Sequence, residues 1–183
     1  MGLDMYLHTN SKRVCEEVND QADEWERDFQ TPRGIVIQWR KANAIHKWFV
    51  DNVQGGKDDC GTYEVEISQL ARLHDACKEV LESTRLVESG TYEEFDLKTR
   101  QIVQKPLQVL EDDSKARELL PTQSGFFFGG TEYDQWYWMD LVMTKEKLDK
   151  LMENLVPSDK CTWAVVHKDE PDWYVEFRYS SSW

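Results

Sequence analysis

Hydrophobic and polar positions alternate near the start of the chain: Leu3, Met5 and Leu7 fall on one side, Asp4, Tyr6 and His8 on the other. A period of two predicts a half-buried strand inside a sheet, presenting its three polar residues to a common face. Further on the period changes. Val14, Val18, Trp25 and Phe29 form a sparse helical stripe through the acid-rich stretch Glu16 to Asp28, which reads as a solvated amphipathic helix. Pro32 and Gly34 punctuate the chain, Ile35 to Ile37 reads as a short strand, and Trp39 to Val53 as a helix with Trp39, Ala42, Ile45, Phe49 and Val53 inward. Gln54-Gly55-Gly56-Lys57 is its stop signal.

After the turn Asp58-Asp59-Cys60-Gly61, Thr62 to Ile67 alternates as a strand. Ser68 is the expected cap of a helix whose stripe is Leu70, Leu73, Cys77, Val80 and Leu81. The segment of about 87–118 carries no single period; a helix, an inserted strand or a mobile arm all fit it. Pro121 to Gly130 reads as a loop holding Phe126-Phe127-Phe128, followed by a helix over Tyr133 to Met143 and another capped by Thr144. Thr162 to His167 and Trp173 to Tyr179 flank a turn and form a hairpin expected to join the sheet of the first strand. Together these segments predict one α+β domain over residues 1–183, an antiparallel-rich sheet (N-terminal strand plus C-terminal hairpin) with several packed helices and an insert or arm around 87–118.

Composition narrows the partners rather than the fold. The formal charge is -13, from 35 acids against 22 bases. Such a charge disfavours direct binding of nucleic acid or an anionic membrane surface, and suits a basic protein partner such as a host nuclease. Glu16, Glu17, Asp20, Asp23, Glu24 and Asp28 would form an acidic ridge for it. Residues Met1 to Met5 lack the basic flank and apolar core of a signal peptide, and no run approaches the about 20 apolar residues of a membrane span, so a cytoplasmic location in a bacterial host cell is expected. The four cysteines form no Cys-x-x-Cys pair and read as free thiols, mainly buried; no metal site and no cofactor are expected.

No phosphate-binding loop, dinucleotide fingerprint, zinc-protease helix or nucleophile elbow occurs in the sequence, which lowers the expectation of catalysis. One constellation stands out. Arg40, Asn43 and His46 or Lys47 recur at helical spacing, Asp4 and Tyr6 come from the first strand, and Tyr133, Asp134 and Trp136 follow the Phe–Gly loop. Brought together they would supply a cation, a titrating base, carboxylates and aromatic walls, the ingredients of a nucleotide pocket.

The segments MGLDMYL, WRKANAIHKWFVDN, DDCG, LPTQSGFFFGGTEYDQWY and YSSSW resemble a family of small proteins frequent in phages, prophages and mobile elements of Gram-positive bacteria. The resemblance spans the chain, is weakest around Leu86 to Arg117, and brings no catalytic residues with it. It implies an accessory role carried by a phage or mobile element. Joined to the charge, it gives a first functional expectation: a protein that binds and inhibits a bacterial defence effector such as a CRISPR nuclease, as a mimic of nucleic acid. The alternative is a small nucleotide-binding or nucleotide-processing protein that uses the polar–aromatic constellation.

Overall fold

The computed structural model describes residues 2–19, 25–27, 32–161 and 164–183. At its centre is a five-stranded sheet. From edge to edge the sheet runs β2 (Trp25–Arg27), β3 (Pro32–Arg40), β1 (Asp4–Thr9), β10 (Phe177–Ser182) and β4 (Thr62–Val65). Every neighbouring pair is antiparallel. Leu3, Met5 and Leu7 are completely buried. Each burial is worth about 1.5–3 kcal/mol over exposure, which explains why this strand lies at the sheet's centre. Cross-strand partners share a face, so Met5 opposite Trp39 and Leu7 opposite Ile37 and Tyr179 form the buried side.

That side is covered by α1 (Lys12–Val18), α2 (Asn43–Asn52), α3 (Ile67–Ser83) and α5 (Gln135–Asn154), whose Val14, Ile45, Phe49, Leu70, Leu73, Leu141 and Leu148 belong to the same core. Two contacts tie helix to sheet. The Phe49 and Tyr179 rings stack at 3.9 Å between centroids, and the buried Trp39 indole N–H donates to Thr144 Oγ1 at 2.8 Å. The fold is therefore α+β with antiparallel sheets, as the alternation and the helical stripes predict.

Several elements differ from the sequence pattern. The acid-rich stretch is not one helix: α1 ends at Val18, where the Asn19 N–H closes on the Cys15 carbonyl, and Trp25–Arg27 is strand paired with β3. The expected helix from Trp39 begins only at Asn43, because Trp39 and Arg40 finish β3 opposite Met5 and Asp4. The α3 cap is Glu66 rather than Ser68, in a reciprocal capping box with Gln69. Thr144 starts no new helix. It lies inside α5, buried, with its hydroxyl donating to the Asp140 carbonyl at 2.6 Å and accepting from Trp39.

The region around 87–118 is a long two-stranded arm, β5 (Leu86–Asp96) and β6 (Gln101–Leu110), followed by α4 (Ser114–Leu119). The arm is fastened at its base, where the Leu110 N–H donates to the Tyr133 carbonyl at 2.9 Å. Midway along the arm the Tyr92 ring meets the Trp136 ring edge-on at 4.9 Å. The C-terminal hairpin is divided between sheets. Strands β8 (Val165–His167) and β9 (Glu170–Val175) pair with each other and with β7 (Leu155–Pro157) in a separate three-stranded sheet. Past Glu176 only the last strand joins β1. The alternation of Val175, Phe177 and Tyr179 runs across that break because all three point into the core.

Candidate functional site

A cavity of about 520 Å³ opens where the turn after β3 meets α2, the Gly129-Gly130 loop and the first turns of α5. Arg40, Lys41, Asp134, Trp136, Met139 and Asp140 line it. Its floor is set by local backbone chemistry. Lys41 takes φ +60°, a left-handed conformation uncommon outside glycine. The turn is held by the Lys41 N–H donating to the Leu3 carbonyl at 2.8 Å and by the Asn43 N–H donating to the Lys41 carbonyl at 2.9 Å. Gly129 faces it with φ +88°; a Cβ there would lie 3.2 Å from Lys41 Cβ, so only glycine fits without strain.

Asn43 clasps the loop from behind. Its Nδ2 donates to the Phe128 and Gly130 carbonyls at 3.1 and 2.7 Å, and its Oδ1 accepts from the Gln123 N–H at 3.1 Å. Every polar atom of that side chain is engaged. Asp134 is committed through one oxygen: as the cap of α5 its Oδ1 accepts from the Trp136 and Tyr137 N–H groups at 2.9 and 3.2 Å. Arg40 is freer, with its guanidinium two-thirds exposed and 3.9 Å from Asp4.

Asp140 differs from all of these. Its carboxyl has no hydrogen bond or ion pair among the described residues, although it is half-buried at the cavity wall. Burial, with a smaller contribution from the Asp134 charge, pushes it up to about 7. Trp136 lies one helical turn before it, on the same face and nearly half exposed. An open wall holding cations, a half-exposed indole and an unpaired, near-neutral carboxyl can bind an anionic ligand with a flat portion.

Four of the eight residues singled out for a pocket line this cavity: Arg40, Asn43, Asp134 and Trp136. Asp4 reaches it only through Arg40. Tyr133 is buried behind it, its hydroxyl accepting from the Thr122 N–H at 3.3 Å. Tyr6 stands beside His8 on the sheet, rings 5.9 Å apart, and does not line the cavity.

His46 is also elsewhere. Arg40, Asn43 and His46 share no helix face, since Arg40 belongs to β3. His46 is completely buried, Nε2 3.0 Å from Asp58 Oδ1 and Nδ1 2.7 Å from the Tyr179 hydroxyl. A carboxylate only accepts, so Nε2 carries the proton and Tyr179 donates to Nδ1. Gln123 Nε2 donates to the other Asp58 oxygen at 2.8 Å. Burial lowers the histidine's pKa against the opposing pull of Asp58. The group is closed and satisfied, a brace among α2, β10 and the loop.

Of the acidic ridge, Glu16 and Glu17 are described; Asp20, Asp23, Glu24 and Asp28 lie outside the described residues. Glu16 pairs with Lys12 at 3.3 Å. Glu17 accepts from His167 at 2.8 Å and from Arg13 at 3.2 Å. Burial works against its ionisation, and those two bonds overcome it, holding the carboxyl below its ordinary range. Among the described residues no group of three or more His, Cys, Asp or Glu is placed to hold a metal ion, and no helix is long and apolar enough to cross a membrane. Cys15 and Cys77 are buried, Cys161 is partly so and Cys60 is exposed, all as free thiols.

Sequence reasoning missed Lys41 and Asp140. The second carries a signal: it is an acid set inside the aromatic and apolar run Trp136 to Met143. Lys41 carries none, because its role comes from a backbone angle. Comparison with protein-family models, curated proteins and solved structures finds no match.

Proposed function

We propose that the chain binds a small nucleotide in the cavity between the β3–α2 turn and α5. The observation that carries this is the cavity wall itself. Arg40 and Lys41 stand on one element as cations for a phosphate group, and half-exposed Trp136 stands on another as a stacking surface. The volume of about 520 Å³ falls within the roughly 300–1,000 Å³ of small-ligand pockets. Asn43, Gly129 and the His46 brace preorganise the loop and do not touch the ligand. Thermal-shift measurements over a panel of nucleoside mono- and diphosphates test the reading. Stabilisation is expected in wild type and is expected to shrink in Arg40→Ala and Trp136→Ala. No stabilisation by any member, or the same stabilisation in both variants, would overturn it.

A second reading is favoured by the formal charge of -13: an acidic accessory protein of a phage or mobile element that inhibits a host defence nuclease by occupying its basic groove. The ion pairs at Glu16 and Glu17 reduce the free charge this surface offers. Its signature is inhibition that weakens steeply with salt. Inhibition that is absent at low salt, or indifferent to salt, removes it.

A further inference from the structure

We propose that the cavity is specific for guanine nucleotides and that the Asp140 carboxylate reads the base. This rests on the nucleotide reading above and names its ligand. On α5, Asp140 follows Trp136 by four residues, so the two side chains are neighbours on one helix face and both line the cavity. A base lying flat on the Trp136 ring therefore presents its edge to Asp140. A carboxylate is an acceptor-only, two-oxygen group. Guanine offers it two adjacent donors, the ring N1–H and the exocyclic amine, as a bidentate partner. Adenine offers one donor beside one acceptor, and so pairs one oxygen while repelling the other.

The remaining acids of the cavity are less suited. Asp134 has one of its two oxygens taken by two backbone N–H groups, which leaves no free pair for a bidentate contact, and Glu132 is exposed, where its hydrogen bonds compete with water. Asp140 alone combines a place in the wall, partial burial and no partner among the described residues. A half-buried carboxyl in a cavity wall with no partner among the described residues is a group that a ligand supplying two donors can complete. Its pKa of about 7 in the free protein reflects burial, and two donors from a base would favour the ionised form. At the end of β3 and in the turn after it, Arg40 and Lys41 take the phosphate, which sets the orientation of the nucleotide.

Substituting the carboxylate with an amide separates the possibilities, because Asn presents one acceptor and one donor where Asp presents two acceptors. That pattern is complementary to xanthine, which has a carbonyl where guanine has the amine. Calorimetric titration of wild type and Asp140→Asn with guanosine, adenosine and xanthosine monophosphates reads it out, with guanosine itself as the phosphate-free control. Wild type is expected to favour guanosine over adenosine monophosphate by roughly 5- to 100-fold, the discrimination typical of one bidentate base contact. Asp140→Asn is expected to lose guanosine monophosphate and gain xanthosine monophosphate by a comparable factor. Equal wild-type affinity for guanosine and adenosine monophosphates, or an unchanged preference in Asp140→Asn with its fold intact by circular dichroism, would overturn the base assignment while leaving the nucleotide reading standing. Absence of binding to all three overturns both.

Discussion

Two polar–aromatic clusters sit back to back on either side of Asn43 and the Phe128–Gly130 loop, and they are built on opposite principles. In the His46 cluster each polar atom meets a protein partner: Asp58 is shared between His46 and Gln123, and Tyr179 closes the far side. The imidazole and the Tyr179 ring are shut off from solvent, and Phe128 and Trp183 pack edge-on against the imidazole at 5.1 and 5.5 Å. In the cavity, by contrast, Asp140 has no partner among the described residues and Arg40 only a distant one. Residue type does not distinguish the two clusters, since both contain an acid, nitrogen bases and aromatic rings. Satisfaction does. A closed network stiffens the fold, whereas unsatisfied groups around a void are what a ligand can complete.

Substitutions should separate them. The largest effect is expected for His46→Ala, which opens a cavity in the core, leaves the buried Tyr179 hydroxyl short of a partner and removes one bond from Asp58. A loss of roughly 3–5 kcal/mol by chemical denaturation is the expected outcome. A loss under about 1 kcal/mol would show that the cluster is not a brace. Asp140→Asn should do the reverse. The carboxyl's raised folded pKa means that its contribution to stability is full below the unfolded carboxylate range, near 4, and is lost as pH rises through about 7. At pH 8 the variant is expected to be more stable than wild type by about 2 kcal/mol, with partial solvent access allowed for, and to lose that advantage as the pH is brought towards 4.

His46 gives the opposite slope. Its lowered folded pKa contributes stability above its unfolded value near 6.5, lost as pH falls through the folded value. Wild type should therefore weaken on acidification, measured as a denaturation midpoint that falls as the pH drops below about 6.5. A midpoint flat across that range would remove the neutral-imidazole assignment. Smaller still is Gly129→Ala, expected to cost about 1–2 kcal/mol for a side chain forced into positive φ beside Lys41. Arg40→Ala should change stability by under about 0.5 kcal/mol, since its contact with Asp4 is long and exposed. Its effect is expected on ligand affinity instead, a distinction that denaturation and calorimetry together resolve.

The alternation of Leu3, Met5 and Leu7 was enough to place β1 within a sheet, and the Gln54–Lys57 stop marks the end of α2, where Gly55 and Gly56 take φ +65° and +81°. Other elements were hidden for physical reasons. Trp39 and Arg40 match a helical stripe by spacing, yet their backbone is committed to pairing with β1, which local pattern cannot express. Val175, Phe177 and Tyr179 read as one strand because burial continues across a change of sheet. The arm of β5 and β6 was illegible because its residue types run against its burial: Glu94 and Asp96 fall on half-buried positions, whereas Phe95 and Ile102 are exposed. At the site, Arg40, Asn43, Asp134 and Trp136 were legible as chemistry-bearing residues near punctuated turns. Lys41 depends on a dihedral angle, and Asp140 on the burial of one helix face. His46 was misplaced because a periodicity cannot tell which side of a helix faces a core and which a cavity.

The most direct test of the cavity as the functional site is a titration of isotope-labelled protein with guanosine monophosphate, following backbone amide shifts. The account predicts saturable shifts concentrated at Arg40 to Asn43, at Gly129-Gly130 and from Asp134 to Leu141, with the amides of α1 unmoved. No shifts, or shifts gathered around Glu16 and Glu17 instead, would contradict it.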